Sequence, residues 1–262
     1  TIATGGFSAN PEMVDKYIGG WASRLAIRGS LSTTGANISL ALPLNAKFVN
    51  MDQFHAGPII AETHVNPNEV LNSGYGIIVD LRGKRFVDEG KKGFMSQDLN
   101  GPIFDKIHRD GMGYVWEISD EATVAAAGGK VKRGEGLEYI KGADATELAA
   151  NMGVDAAALA ETIEAYNAAV DSGVDREIGG FPTAKLEAPF LAVPVVPCEI
   201  ITYGGVARTE QGEVIRADGE VMPGLFVGGE ASCNSAYMGF TLSNCFTWGR
   251  IGAQSAAAYL KA

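Results

Sequence analysis

The chain begins with an apolar run that ends in a glycine pair, and this pattern limits its fold more than any other feature. The segment is Thr1–Phe7, in which Gly5 and Gly6 form the glycine pair, and Asn10 and Pro11 follow closely. Asn is a common N-cap residue, and Pro is common in the first turn of a helix. A buried strand, a tight turn and a helix are therefore predicted in succession, an order typical of α/β proteins. Because a compact domain rarely begins in mid-strand, we expect further chain before this segment in the intact protein.

The later segments predict that an α/β domain is interrupted by a block of mixed structure. Apolar arms around a glycine turn predict a β-hairpin over residues 76–87, and helical spacing predicts helices that begin at Asp144 and Asp155. A second strand that ends in a glycine turn is predicted at residues 225–230. The predicted domain boundaries are 1–52, 53–185 and 186–262, with the first and last segments forming one domain.

The composition excludes several classes of function. The 262 residues are 46% hydrophobic and carry a formal net charge of −10, which is typical of a soluble globular protein with an acidic surface. Nucleic-acid binding requires clustered Lys and Arg, so no nucleic-acid partner is predicted. No run of about 18 apolar residues occurs, so no membrane span is predicted. The three cysteines and the spacing of His55 and His64 fit no common metal site, so none is predicted.

Four segments, in order, resemble the signatures of one flavoprotein superfamily. They are ATGGF at residues 3–7, GKRFVDE at 83–89, TYGG at 202–205 and PGLFVGGE at 223–230. The chain thereby resembles FAD-dependent oxidoreductases of the fumarate reductase, urocanate reductase and 3-ketosteroid dehydrogenase superfamily. The resemblance implies an α/β fold, in which a partial Rossmann-like FAD-binding domain (1–52 and 186–262) contains an inserted α+β capping domain (53–185).

The resemblance also implies FAD as the cofactor and indicates the residues that hold it. Glycine permits a close approach of the backbone to a cofactor, a carboxylate can bind a cofactor hydroxyl group, and N–H groups at a helix start favour the negative charge of a reduced flavin. The predicted cofactor-binding residues are Thr4, Gly5, Gly6, Gly229, Glu230, and Thr241, Leu242 and Ser243 at the start of the last helix. The GxGxxG fingerprint that binds the ADP half of FAD does not occur in the sequence. We therefore expect this chain alone to bind FAD poorly or not at all.

Three departures from the fumarate-reducing members predict a different substrate. Those members hold the substrate carboxylates through a His before the TxGG signature and an Arg before a later glycine pair, and a further Arg donates a proton. Here Ile201 replaces the His, residues 236–239 contain no Arg, and Gly93 lies where the proton-donating Arg is expected. Without these cations the desolvation of two carboxylates is not compensated. The predicted substrate is therefore less charged than fumarate, namely an enone, an aryl acrylate or a ketosteroid.

The predicted catalytic side chains are two phenols and one imidazole, on Tyr203, Tyr237 and His55, and Gly204 and Gly205 are predicted to bind substrate. A Tyr hydroxyl group can act as a general acid, or can polarise a carbonyl group conjugated to an alkene. The loop that contains Tyr237 is similar to a Tyr-containing loop of the 3-ketosteroid dehydrogenases, and His55 matches a substrate-side His of the superfamily. The alternative is structural, with the two phenols in packing roles and the imidazole hydrogen-bonded in the core.

These observations together predict a flavin-dependent oxidoreductase with a small-molecule substrate. The enzyme would move a hydride between FAD and a C–C bond conjugated to a carbonyl or acyl group. The alternative is a catalytically silent piece of such an enzyme, folded but without bound FAD. The sequence leaves open the natural substrate, the direction of the reaction, the electron donor or acceptor, the oligomeric state and the compartment, cytoplasmic or extracytoplasmic.

Overall fold

The structure, a computed structural model, describes residues 1–64, 75–89, 95–126, 139–175, 178, 183–232 and 241–261. The chain divides into two compact units. Unit 1 comprises Thr1–His55 and Glu199–Ala262, and unit 2 comprises Ala56–Cys198. Unit 2 is continuous in sequence and separates the two segments of unit 1. The predicted inserted domain, 53–185, overlaps unit 2 but ends earlier in the chain.

Helices and strands are interspersed along the described residues. The helices are α1 (Pro11–Tyr17), α2 (Ala36–Ala41), α3 (Met95–Asp110), α4 (Glu121–Ala126), α5 (Ala145–Met152), α6 (Ala156–Ser172) and α7 (Thr241–Tyr259). The strands are β1 (Ala26–Ile27), β2 (Phe48–Val49), β3 (Phe54–Ile60), β4 (Ile77–Val79), β5 (Val115–Asp120), β6 (Ile140–Gly142), β7 (Phe190–Thr202), β8 (Gly205–Val206), β9 (Glu213–Ile215) and β10 (Val221–Phe226). The fold is therefore of the mixed α/β class, and the prediction is confirmed at this level.

The core of unit 2 is an antiparallel arrangement of strands packed against α5 and α6. β5 pairs with β4 on one side and with β7 on the other, and β6 also pairs with β7. Every residue of β5 is buried. Trp116 from β5, Leu148 from α5 and Tyr166 from α6 belong to one cluster of buried side chains. Burial of apolar surface is in general the largest favourable contribution to the free energy of folding.

Helices α5 and α6 begin where the sequence predicts, because an aspartate caps each of them. The side chain of Asp144 accepts a hydrogen bond from the N–H of Glu147, and that of Asp155 accepts one from the N–H of Ala158. Each helix is followed by a glycine in the left-handed region, a common C-terminal signal. Local signals therefore fix both ends of both helices.

The predicted β-hairpin at residues 76–87 is only partly formed. Its first arm is β4, but the second arm contacts it through a single bridge between Val79 and Arg85, and β4 pairs over its full length with β5 instead. The side chain of Arg85 is almost fully buried and forms ion pairs with Glu89 at 2.6 Å and with Asp175 at 2.8 Å. The segment after the turn is thus held by buried side-chain contacts rather than by a second strand.

Unit 1 contains the two glycine turns that the sequence indicates. Ile2 forms a parallel bridge with Val227, so the first apolar run lies beside the end of the strand β10. The side chain of Asn10 accepts a hydrogen bond from the N–H of Met13, and Pro11 is the first residue of α1, as predicted. The two glycine turns are therefore brought together although they lie near opposite ends of the sequence.

The described residues of unit 1 also contain two small antiparallel strand pairs and one long helix. β2 pairs with β8, and β9 pairs with β10. The helix α7 has 19 residues. Among the described residues, no helix combines the length and the apolar character that crossing a membrane requires.

Candidate functional site

The first glycine turn lies directly against two side chains from distant parts of the sequence. Gly5 has a φ of +77°, in the left-handed region that favours glycine. A Cβ atom on Gly6 would lie 2.2 Å from Oγ1 of Thr202 and 2.7 Å from Oε1 of Glu230. The N–H of Phe7 donates a hydrogen bond of 3.1 Å to the same Thr202 oxygen. Only glycine therefore fits at position 6, where the backbone is in close contact with the Glu230 side chain.

Glu230 is positioned by the second glycine turn. It follows Gly229, which has a φ of +64°, in a single 3-10 turn over Gly229–Ala231. Its Oε1 atom is buried and has no hydrogen-bond partner among the described residues. Burial raises the pKa of Glu230 to about 7, although the backbone N–H groups of Thr202 and Gly6 act in the opposite direction. The turn therefore presents a carboxyl group that changes its charge near neutral pH.

A second buried carboxyl group belongs to Glu199, which the sequence analysis did not identify. Glu199 lies in β7 and is only 2% exposed, and its Oε1 atom also has no hydrogen-bond partner in the described part of the chain. Burial and then the negative charge of Glu230 raise the pKa of Glu199 to about 8. A signal was available, because Glu199 is the one charged residue in the strand FLAVPVVPCEIIT.

Asn37, which the sequence analysis also missed, adds a third buried polar group. It lies in α2 and is fully buried, and its Nδ2 donates a hydrogen bond of 3.1 Å to the carbonyl oxygen of Ala231. Its Oδ1 has no partner among the residues that the structure describes. An unsatisfied buried polar group costs about 1–3 kcal/mol, so such groups are rare in structures and indicate a site when they occur together.

His55 and Tyr203, two of the predicted catalytic residues, are neighbours. Their rings are stacked with centroids 6.3 Å apart and planes inclined by 15°. The N–H of Tyr203 donates a hydrogen bond of 2.8 Å to the carbonyl oxygen of Gln53, which holds the two segments together. Burial and then the positive charge of Arg28 lower the pKa of His55 to about 4. The imidazole is therefore neutral at neutral pH and does not provide a cation for a substrate carboxylate.

Gly204 and Gly205 allow two backbone segments to pack closely. A Cβ atom on Gly204 would lie 2.5 Å from Cα of Met51, and one on Gly205 would lie 2.7 Å from the carbonyl oxygen of Ala231. These contacts give both glycines a structural role beside Tyr203. Their predicted role in substrate binding stays a prediction.

The helix α7 begins at Thr241, the first of three predicted cofactor-binding residues at this position. Leu242 and Ser243 follow Thr241 in the helix, and the role of all three in binding the cofactor stays a prediction. The side chain of Leu242 is 72% exposed. Tyr237, the other predicted catalytic phenol, lies outside the described residues.

Similarity to known proteins identifies the family. Residues 1–243 match a family model described as an FAD binding domain. The chain belongs to this family. An NADH:acrylate oxidoreductase from Vibrio harveyi is 30% identical to it over an alignment of 276 positions, which covers 98% of the chain and 26% of the relative. A 3-oxosteroid 1-dehydrogenase from Mycolicibacterium smegmatis is 28% identical over 100% of the chain and 51% of the relative.

A solved structure supports the same family. The open conformation of a flavocytochrome c3 fumarate reductase matches the chain with a TM-score of 0.78 at 26% identity, over 98% of the chain and 45% of that protein. The resemblance inferred from the four sequence signatures is therefore confirmed. The chain spans about a quarter to a half of the length of the relatives that it matches.

FAD is the cofactor of this family, and the geometry of unit 1 fits such a cofactor. The Gly5-Gly6 turn and Gly229 present backbone without side chains next to the Glu230 carboxyl group. Oε1 of Glu230 and Oδ1 of Asn37 are buried without partners among the described residues, and cofactor hydroxyl groups are suitable partners for them. Within the same described residues, no group of three His, Cys, Asp or Glu side chains is arranged to hold a metal ion.

Proposed function

We propose that the intact protein is an FAD-dependent oxidoreductase that interconverts a C–C single bond and a C=C double bond next to a carbonyl or acyl group. FAD, when bound, supplies the hydride chemistry, and the chain binds, orients and protonates or deprotonates the substrate. The family and the oxidoreductase names of the relatives support this proposal. They do not favour the alternative of a silent chain without FAD.

The neutral imidazole of His55 beside Tyr203 is the observation that carries the proposed substrate class. A dicarboxylate site needs cations at hydrogen-bonding distance, since the desolvation of two carboxylates is otherwise uncompensated. Neither His55, which has a pKa of about 4, nor the apolar Ile201 supplies one. We therefore propose a substrate with no carboxylate next to the reacting bond, such as an enone or a 3-ketosteroid.

Arg28 favours a second candidate, an aryl acrylate with a single carboxylate. The positive charge of Arg28 acts on His55, and its side chain is exposed. Its backbone N–H donates a hydrogen bond of 2.9 Å to the carbonyl oxygen of Glu199, which fixes the segment. A guanidinium group at this place can attract one carboxylate. If the substrate is an aryl acrylate, Arg28→Gln raises its KM, whereas the KM of an uncharged enone stays the same.

Specific roles follow for the residues of unit 1. The Tyr203 hydroxyl group holds the proton that is exchanged with the substrate, or hydrogen-bonds the substrate carbonyl oxygen. Glu230 hydrogen-bonds a hydroxyl group of FAD, and the N–H groups of Thr241, Leu242 and Ser243 at the start of α7 stabilise negative charge on the flavin. Unit 1 is thereby part of a Rossmann-like FAD-binding domain, and unit 2 is the capping domain.

Substitution of the two phenols in the intact protein tests this function, with a 3-ketosteroid and an aryl acrylate as substrates and a redox dye as the electron partner. Tyr203→Phe is expected to lower kcat by about 10²- to 10⁴-fold, the usual contribution of a general acid, with unchanged flavin absorbance. Tyr259→Phe is the matched control, because Tyr259 is 50% exposed near the end of α7. Unchanged turnover in both Tyr203→Phe and Tyr237→Phe would contradict the phenol mechanism. A colourless intact protein would contradict the assignment of a flavoenzyme.

A further inference from the structure

Thr202, the last residue of β7, lies against the first glycine turn and is not among the site residues predicted from the sequence. It is fully buried, so its side chain can act on a bound cofactor only through its neighbours. We propose that Thr202 is a positioning residue that holds the Gly5-Gly6 turn beside Glu230 and thereby sets the affinity of the protein for FAD. This inference rests on the proposed contact of the turn and of Glu230 with FAD.

The hydroxyl group of Thr202 fixes the main chain directly after the glycine pair. Its Oγ1 accepts a hydrogen bond of 3.1 Å from the N–H of Phe7, a residue 195 positions away in sequence. Phe7 is fully buried, and a buried N–H group without an acceptor is unfavourable. The end of the turn is therefore kept at the place where Thr202 can bind it.

The peptide unit between Gly6 and Phe7 is held at both of its polar atoms. Its carbonyl oxygen accepts a hydrogen bond of 3.0 Å from the N–H of Gly35, and its N–H donates to Thr202. Because a peptide unit is planar, two opposed hydrogen bonds fix its orientation, and with it the direction in which Gly6 presents its backbone. Of the two anchors, Thr202 is the one that acts through a side chain, so a substitution can remove it.

Thr202 and Glu230 meet at the same point of the turn. The position that a Cβ atom on Gly6 would occupy lies 2.2 Å from Oγ1 of Thr202 and 2.7 Å from Oε1 of Glu230, so the two oxygens are neighbours on one side of Gly6. Burial raises the pKa of Glu230, and the N–H group of Thr202 opposes this rise. Thr202 therefore acts on both groups that are proposed to contact FAD, the turn and the carboxyl group.

Titration of the intact protein with FAD, followed by the quenching of flavin fluorescence, tests this role. Thr202→Val replaces the hydroxyl oxygen by a methyl group, which accepts no hydrogen bond and favours carbon contacts of about 3.5–4.0 Å, so the turn is displaced. The Kd of FAD is expected to rise about tenfold, the order of magnitude of one lost buried hydrogen bond. Thr202→Ser keeps the hydroxyl group, so its Kd should stay close to that of the wild type.

Thr162→Val is the matched control, because it removes a buried threonine hydroxyl group from unit 2. Oγ1 of Thr162 donates a hydrogen bond of 2.7 Å to the carbonyl oxygen of Gly83. This variant should lose stability as Thr202→Val does, but should bind FAD with the wild-type Kd. Equal Kd values for the wild type and Thr202→Val would overturn the inference. An equal rise in both Val variants would overturn it as well, because general destabilisation would then account for the weaker binding.

Hydrogen exchange without FAD gives a second measurement that does not depend on cofactor binding. The peptide that contains Phe7, followed by mass spectrometry, is expected to exchange faster in Thr202→Val than in the wild type and Thr202→Ser, since the N–H of Phe7 loses its acceptor. Unchanged exchange in Thr202→Val would show that the hydroxyl group does not hold the turn, and the inference would fail whether or not FAD binds. Faster exchange together with no FAD binding by the wild type would instead contradict the proposed function, and with it the effect of Thr202 on affinity.

Discussion

Buried carboxyl groups occur in both units, and they differ in whether a cation accompanies them. In unit 2, Glu89 and Asp175 share the guanidinium group of Arg85, with N–O distances of 2.6 and 2.8 Å. Burial alone would lower the pKa of Arg85, but the two carboxylates outweigh this effect and raise it. In unit 1, Glu199 and Glu230 have no cation beside them among the described residues.

The difference separates a structural role from a functional one. A buried ion pair such as Arg85–Glu89 links parts of the chain, and its guanidinium group offsets part of the cost of burial, which still raises the pKa of Glu89. Two buried carboxyl groups without a cation make folding less favourable, since at least one of them must stay protonated. Titratable groups in such surroundings are frequent at binding and catalytic sites. The contrast therefore indicates a structural role for the cluster of unit 2 and supports the proposed cofactor-binding role of Glu230 in unit 1.

Removal of the Arg85 guanidinium group is the strongest test of the structural role of the unit 2 cluster. Arg85→Met is expected to reduce the free energy of unfolding by about 3–5 kcal/mol, because it removes the cation that accompanies the buried carboxyl groups of Glu89 and Asp175. Denaturant unfolding measures the loss. The control is Arg82→Met, since Arg82 is 70% exposed in its pair with Asp110 and should contribute less than about 1 kcal/mol. Similar losses in both variants would remove the distinction between buried and exposed pairs.

An added methyl group at the Gly5-Gly6 turn tests the proposed cofactor-binding role of unit 1. Gly6→Ala places a Cβ atom 2.2 Å from Oγ1 of Thr202 and 2.7 Å from Oε1 of Glu230. We expect a loss of about 1–3 kcal/mol in stability, as in other overpacked sites, together with weaker FAD binding. Gly249→Ala is the matched control, because no atom lies within 4 Å of its Cβ position. That variant should gain about 0.5–1 kcal/mol from a better helix former, and weaker FAD binding there would count against a specific role for the turn.

The titration of His55 should have a smaller effect on stability, which appears as pH falls. Its pKa is lowered to about 4 in the folded state, so its contribution to stability is present above the unfolded pKa and is lost as pH falls towards 4. After allowance for partial exposure we expect about 1 kcal/mol, seen as a steeper loss in the wild type than in His55→Gln between pH 6 and about 4. An NMR titration of the imidazole gives the pKa directly. A midpoint near 6.5, the ordinary value, would remove the argument against a cationic substrate clamp.

The parts of the structure that the sequence predicted correctly depend on local rules. Asn10 with Pro11, Asp144 and Asp155 mark helix starts because an N-cap side chain binds an N–H group two or three residues later. The two glycine turns were also predictable, because close approach of backbone excludes a Cβ atom. The second arm of the predicted hairpin is formed only in part: Arg85 makes a single bridge with Val79, and its side chain is held by Asp175, far away in sequence.

The two buried carboxyl groups of unit 1 were not predictable in the same way. The raised pKa values of Glu199 and Glu230 depend on burial and, for Glu199, on the charge of Glu230, and neither follows from local periodicity. His55 and Tyr203 were identified through the family resemblance, and the structure adds that they stack. What the resemblance did not provide is the neutral state of the imidazole, which depends on its burial and on Arg28.

The strand β7 limits how this protein can be altered by recombination. It runs from Phe190 to Thr202, so the change from unit 2 to unit 1, between Cys198 and Glu199, falls inside a strand. Side chains alternate between faces along a strand, and a change of one residue in length reverses the face of every residue that follows. A foreign insert that replaces residues 56–198 must therefore end in the same register, or Glu199 and Thr202 exchange faces. Inserts whose last strand differs in length from the native strand by an even number of residues should therefore be tolerated better than those that differ by an odd number.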